Sequence, residues 1–238
     1  MRATLSCVIG VLKYYQRTQL RVIKDMIIPV FNSQIAVYQF DQMELYGPGT
    51  PFASKVDDYF NDEIFANRTS AESEGKAISS VGYNNIRPFK KALELDTNTL
   101  GKWIDDTIMQ GAHDLGLNPQ EPFTLTRNWG NRMYQQASVR CHAHLLPGCH
   151  IVGVFYYEAP AQSADLVFVN DRTQNVELSR YPESERFRVS PKPGMLVCHS
   201  PWLAHGTDAH LSDQVRTCFI YEGTFLNMAI RTVREPQF

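Results

Sequence analysis

No apolar stretch near the start of this 238-residue chain reaches membrane-spanning length, because Lys13, Arg17, Arg21 and Lys24 interrupt the run that begins at Cys7 to Leu12. Neither an export signal nor a membrane anchor is therefore expected. An excess of one charge is also missing. The 23 basic and 25 acidic side chains give a formal net charge of -2 and are interspersed. They offer no field for DNA phosphates or an anionic membrane, so a long nucleic acid is not an expected partner. Cysteine is scarce and odd in number. Of the five, Cys141, Cys149, Cys198 and Cys218 fall in strand-like segments, which suits reduced thiols and a cytoplasmic location better than a disulfide framework. The Asn67-Arg68-Thr69 triplet carries no meaning without secretion.

What is present is enough apolar material, 43% of residues, to bury one full core. The reading is a single domain over 26–238, with a barrel core over about 120–225, preceded by a basic lead-in over 1–25 that stands outside the fold. Met26 to Phe31 and Ile35 to Tyr38 read as two strand-like runs around a polar turn. From Tyr46 to Ser80 the composition is rich in Pro, Gly, Ser, Asn and Asp, predicting a long surface segment with one short helix around Val56 to Phe65. A helix is predicted over Asn98 to Leu115, where Leu100, Trp103, Ile104, Ile108, Ala112 and Leu115 recur at helical spacing and Gly116 supplies the stop. Beyond Pro122 come short runs rich in β-branched and aromatic residues: Phe123 to Trp129, Gln136 to His144, Ile151 to Tyr157, Asp165 to Val169, Phe187 to Val189, Met195 to His199 and Val215 to Tyr221. Turn residues separate most of them. The expected class is α+β, a β-barrel with one or two flanking helices.

His142-Ala143-His144 lies in one such run, where alternation puts both imidazoles on one face and Cys141 and Ala143 on the other. A lone pair of this kind is more often two satisfied or exposed strand histidines than a metal site. A third histidine follows the Pro193-Gly194 turn, the Met195-Leu196-Val197 strand and the Ser200-Pro201-Trp202 turn. That residue is His205, placed where the chain re-enters the barrel. Together the three predict a centre for an iron-like divalent ion.

The order of these motifs resembles the Fe(II)- and 2-oxoglutarate-dependent oxygenases: HxH, a Val-Phe-Tyr-Tyr strand, an Asp-Leu-Val-Phe strand, Pro-Gly-Met-Leu-Val, Trp-x-x-His, and a final Arg-x-Cys. It is most similar to the 2OG-Fe(II) oxygenase subfamily of marine bacteria and phages, whose members begin with a stretch like Ile28-Pro-Val-Phe-Asn-Ser-Gln-Ile-Ala-Val-Tyr. The resemblance covers roughly Met26 to Phe225. It implies a double-stranded β-helix, with His142 as first and His205 as distal metal ligand, and Fe(II) and 2-oxoglutarate as cofactor and co-substrate. It also implies Arg216 and Tyr157 as the groups that hold the far carboxylate of 2-oxoglutarate, and hydroxylation of a substrate coupled to decarboxylation to succinate. This chain departs from the superfamily at His144, where an Asp or Glu is usual, so the centre would be three neutral imidazoles. Three ligands on one face leave about three octahedral positions for a bidentate keto acid and dioxygen.

Other readings of the same residues stand beside these. Arg216 can be a surface strand residue paired with Asp213 or Asp208, and a register error of one exchanges Tyr157 for Tyr156. Asn128, Asn131 and Gln136 can face the cavity and bind substrate, or serve as edge-strand residues. His150, His199 and His210 read as strand-end or loop histidines. The run Cys141, His142, His144, Cys149, His150 lacks the CxxC spacing of a structural zinc site. Cys198 and Cys218 are expected to pack as small apolar residues, and Trp129 and Trp202 to fill core. Two alternative functions remain: a cupin-like three-histidine metal enzyme without a keto acid, and a non-catalytic metal-binding barrel. The expected substrate is a small molecule or a peptide, and a homodimer is compatible with the sequence.

Overall fold

Seven consecutive residues, Ile151 to Tyr157, are buried, so the strand that carries them has protein on both faces and must lie centrally in a covered sheet. The computed structural model describes residues 26–30, 33–61, 73–74, 77–79, 99–117, 124–145, 147–170 and 183–225. The expected lead-in over 1–25 and the sequon lie outside these residues. The strands are β1 (Met26–Val30), β2 (Ser33–Gln39), β3 (Ser73–Glu74), β4 (Ala77–Ser79), β5 (Thr124–Met133), β6 (Ser138–His142), β7 (Ile151–Glu158), β8 (Leu166–Val169), β9 (Arg186–Val189), β10 (Met195–His199), β11 (His205–Thr207) and β12 (Arg216–Thr224). The helices are α1 (Pro51–Asn61) and α2 (Leu100–Asp114).

A seven-stranded sheet runs β1-β2-β10-β7-β12-β5-β4 and a five-stranded sheet runs β3-β6-β11-β8-β9, with antiparallel pairing throughout. This is the double-stranded β-helix, an α+β fold in which alternation sorts each strand of the large sheet into two faces. Ile151, Phe155 and Tyr157 of β7, Leu196 and Cys198 of β10, and Phe219 and Tyr221 of β12 pack with both helices. Val152, Val154 and Tyr156, Val197, and Cys218 and Ile220 point the other way, toward Leu166 and Phe168 of the small sheet. The metal-ligand candidates stand on that inner side.

Three expectations are corrected. The 46–80 region is not only surface: α1 starts at Pro51 and buries Phe52, Val56, Tyr59 and Phe60 in the core. Pro51 sits at the first helical position and the Thr50 hydroxyl accepts the Ala53 N–H at 3.2 Å, a start signal hidden among turn-forming residues. β1 and β2 join the large sheet beside β10, so the barrel draws strands from well before residue 120. β5 runs past Trp129 to Met133 because Gly130 is a packing residue, not a stop: a Cβ there would lie 2.7 Å from the Phe60 ring of α1. α2 agrees with its periodicity, and Gly116 follows it at φ +79°.

Candidate metal centre

Register builds the centre. In the antiparallel pair of β6 and β11, His205 lies directly opposite His142, which puts the two Cβ atoms about 5 Å apart on one face. β6 ends at His142, and the chain is then held by the His144 N–H donating to the Pro201 carbonyl at 2.8 Å, which fixes His144 beside the turn that precedes His205. One ligand atom from each of His142, His144 and His205 lies within 4.8 Å of the others. The ring centroids are 4.6 Å apart for His142 and His205, and 5.1 Å for each of the other two pairs.

Every one of the three Nδ1 atoms faces a group that can only accept. His142 Nδ1 donates to the Arg140 carbonyl at 2.9 Å, His205 Nδ1 to the Leu203 carbonyl at 2.9 Å, and His144 Nδ1 to the Glu222 carboxylate at 2.5 Å. The protons are thereby assigned to Nδ1, and in neutral imidazoles the Nε2 lone pairs are bare. His144 Nε2 and His205 Nε2 stand 3.3 Å apart. Burial, reinforced by His199 and the other two imidazoles, holds His205 well below the usual histidine range, in its neutral, ligating form. With both imidazoles neutral and protonated on Nδ1, two acceptors at this distance repel unless a cation lies between them, so in that state the donor set fits a divalent metal of the kind that imidazole nitrogen binds.

Glu222 is a residue that the sequence reading missed. It is 1% exposed and accepts from Arg127 Nε and Nη2 at 2.5 Å each as well as from His144. Burial pushes its carboxyl up, but the hydrogen bonds from His144 and Arg127 outweigh this and hold it below the ordinary glutamate value. The signal was available: Arg216, Cys218, Ile220 and Glu222 share one parity of β12 and line one cavity. Arg127 lies directly across from Glu222 in the β5–β12 register.

That cavity has a volume of about 470 Å³, within the range of small-molecule sites. All three histidines reach it, with Arg127, Trp129 and Asn131 from β5, Val154 and Tyr156 from β7, and Leu166 from β8. Arg216 is 2% exposed, and its guanidinium lies 4.9 Å from the centre of the Tyr156 ring. Its hydrogen-bond contacts are to sulfur, Met133 Sδ at 3.1 Å and Cys218 Sγ at 3.5 Å, and its Nε has no hydrogen-bond partner among the described residues. No carboxylate among the described residues pairs with it, since Asp208 is taken by Arg188.

The structure brings Asn131 to the cavity, but not Asn128 or Gln136. Asn128 has the opposite parity on β5, and Gln136 is exposed in the turn before β6 at φ +66°. Tyr157 also points away: its hydroxyl donates to the Tyr46 carbonyl at 2.6 Å on the helix side, and Tyr156 takes the cavity position. His150 accepts from the Phe225 N–H at 3.0 Å, and His210 spans the Ala164 N–H and the Gln214 carbonyl. His199 is closer to the chemistry than a strand-end residue would be: its ring lies 4.5 Å from that of His205, and burial lowers its pKa to about 3. Trp129 is buried and stacks on His144 at 5.7 Å, whereas Trp202 is 45% exposed and fills no core. Cys198 packs under α2, and Cys218 lines the cavity beside Arg216.

Gly206, next to His205, shows how tightly the centre is held. A Cβ there would lie 2.6 Å from the Val139 carbonyl oxygen and 3.0 Å from the Arg140 and Cys141 backbone, none of which can swing aside. Gly206→Ala is expected to destabilise the protein by about 1–3 kcal/mol and to part His205 from His142. A lower denaturation midpoint together with weaker metal binding would establish this, and an unchanged midpoint would refute it.

Residues 127–222, under half of the chain, match the sequence family described as "Putative 2OG-Fe(II) oxygenase". The matched segment runs from Arg127 to Glu222 and includes the three histidines and Arg216. No curated protein matches the chain by sequence. Among solved structures, the chain is similar to the non-heme alpha ketoglutarate dependent carbocyclase SnoK from nogalamycin biosynthesis, at 13% identity and TM-score 0.53, over 80% of this chain and 79% of that one. The epimerase SnoN of the same biosynthesis is similar at 13% identity and TM-score 0.52, over 80% and 78%. A Trichoplax adhaerens prolyl hydroxylase, solved with a peptide fragment of the hypoxia inducible factor oxygen degradation domain, is similar at 12% identity and TM-score 0.51, over 98% of each chain. At such identities these likenesses establish the fold: this chain is a double-stranded β-helix with a three-histidine cluster in its cavity.

Proposed function

We propose that the protein is an Fe(II)- and 2-oxoglutarate-dependent oxygenase that hydroxylates a small molecule or a peptide side chain. The observation that carries this reading is Arg216, a buried guanidinium that no carboxylate among the described residues pairs with, set in the same cavity as three converging imidazoles. An unpaired buried cation is costly by several kcal/mol, and a dianionic keto acid that chelates the metal would bring a carboxylate to it. The planar fork of arginine suits a bidentate grip on that carboxylate. The matched sequence family adds support. Among the described residues, Cys149, Cys198 and Cys218 are buried thiols, which suits the reducing cytoplasm proposed for it, and no helix is long and apolar enough to cross a membrane.

His142, His144 and His205 would hold Fe(II), which with the keto acid supplies oxidative decarboxylation by dioxygen, yielding succinate, carbon dioxide and a hydroxylated product. The chain's own part is positioning. Arg216 orients the keto acid, and Tyr156, whose ring lies against that guanidinium, stands where its hydroxyl can share the same carboxylate. Trp129, Val154, Leu166 and Ile220 keep the walls apolar and exclude water. Exposed Leu145 and the partly exposed Arg127 mark the side open to substrate, and Asn131 offers it a polar contact.

Tyr156→Phe is expected to weaken keto-acid binding roughly 10-fold, the worth of one hydrogen bond to a charged group. Tyr157→Phe should leave that affinity alone and lower stability by about 1 kcal/mol, through loss of the bond to Tyr46. Keto-acid titration and denaturation of the two variants check the assignment, and the opposite pattern would return the role to Tyr157. For the activity itself, Fe(II)-loaded protein given 2-oxoglutarate and air should release succinate even without its substrate, at a slow uncoupled rate. Metal binding with no keto acid bound or consumed would favour the cupin-like three-histidine enzyme instead.

A further inference from the structure

We infer that Glu222 supplies, through His144, the negative charge that a carboxylate ligand would otherwise bring to the metal. The inference rests on the metal-centre part of the reading above and not on the keto acid. Two histidines and a carboxylate give a divalent ion one compensating charge in the ligand set itself, whereas three neutral imidazoles give none. Here the carboxylate stands one residue further out. Glu222 Oε1 accepts the His144 Nδ1 proton at 2.5 Å, inside a site where both side chains are almost fully buried. A hydrogen bond of this kind, short and to an anion in a low-dielectric interior, moves electron density into the ring and makes Nε2 a stronger donor to a metal.

The arrangement also accounts for the imidazole at position 144. An Asp there would place a second carboxylate beside the buried Glu222, and two such charges resist sharing one site. Arg127 sets how much of the charge reaches the ring. It grips the same carboxylate with Nε and Nη2, so Glu222 divides its charge between a partly exposed guanidinium and His144. Glu222 is in this sense a positioning residue that acts through His144, with Arg127 as its counterweight.

The test titrates Co(II), as the probe metal, into the full chain and into the Glu222→Gln, Arg127→Gln and double variants, following affinity and the visible ligand-field bands. Glutamine keeps an acceptor oxygen but no charge, so Glu222→Gln should bind Co(II) on the order of 10–100-fold more weakly, with shifted bands. Arg127→Gln should bind as tightly as the wild type or more so, and the double variant should match Glu222→Gln. If the Arg127–Glu222 pair serves only to hold β5 and β12 together, both single variants will weaken binding alike, and the inference fails. It also fails, with the metal centre intact, if Glu222→Gln binds like the wild type. Absence of Co(II) binding by the wild type would instead remove the metal centre and the inference with it.

Discussion

Replacing Arg216 with alanine is expected to weaken 2-oxoglutarate binding by about 2–5 kcal/mol, on the order of 100-fold or more, while metal affinity stays near that of the wild type. The sign of a second effect separates this from a structural role. A guanidinium that stabilised the fold would lower the melting temperature when removed. Arg216 instead carries a charge at 2% exposure with sulfur and an aromatic face around it and no carboxylate among the described residues. Removing it should leave the stability of the protein without keto acid unchanged or raise it, most clearly for Arg216→Met, which fills the space. Added 2-oxoglutarate should raise the melting temperature of the wild type but not of the variant. Arg216→Lys should recover only part of the affinity, because an ammonium cannot reproduce the bidentate fork. A large fall in stability with keto-acid affinity intact would show that Arg216 serves the core.

Loss of His205 is the other large effect. His205→Ala removes one of three donors and leaves His144 Nε2 without its opposite number at 3.3 Å, so metal affinity should fall by two orders of magnitude or more. Without metal the same substitution should cost little, because it also removes the opposition of two bare acceptors. Metal addition is therefore expected to raise the melting temperature of the wild type strongly and that of His205→Ala hardly at all. His150→Ala is the control. That residue binds a backbone N–H at 3.0 Å and stacks on Phe225, away from the centre, so it should lose a little stability and no metal affinity. Equal metal affinity in wild type and His205→Ala would remove the three-histidine centre.

The parts of this arrangement that were legible in the sequence are those that depend on local period. The spacing of Leu100, Ile104, Ile108 and Ala112 gave α2, and the β-branched runs after Pro122 gave most of the inner strands. The pairing of His142 with His144 was also foreseen, although strand alternation is not what creates it. β6 ends at His142, and a backbone bond to Pro201 brings His144 back beside its partner. The choice between Tyr156 and Tyr157 could not be made from a strand buried on both faces, because an all-apolar run has no polar side to fix its phase. Helix α1 was diluted by its flanking Pro and Gly residues, and β2 needed knowledge of β10, more than 150 residues away, to be placed in the barrel. Glu222 is different: its position follows from Arg216 by period two, but only register across β5 and β12 sets Arg127 opposite it, and only the fold of the segment after β6 brings His144 to it.

The most direct test of the central claim is an anaerobic titration of 2-oxoglutarate into the Fe(II)-loaded wild-type protein, read in the visible region where keto-acid chelation of Fe(II) absorbs. The account predicts a band that grows to one equivalent of keto acid and is weakened in Arg216→Ala. Bound Fe(II) with no band at any keto-acid concentration would contradict it.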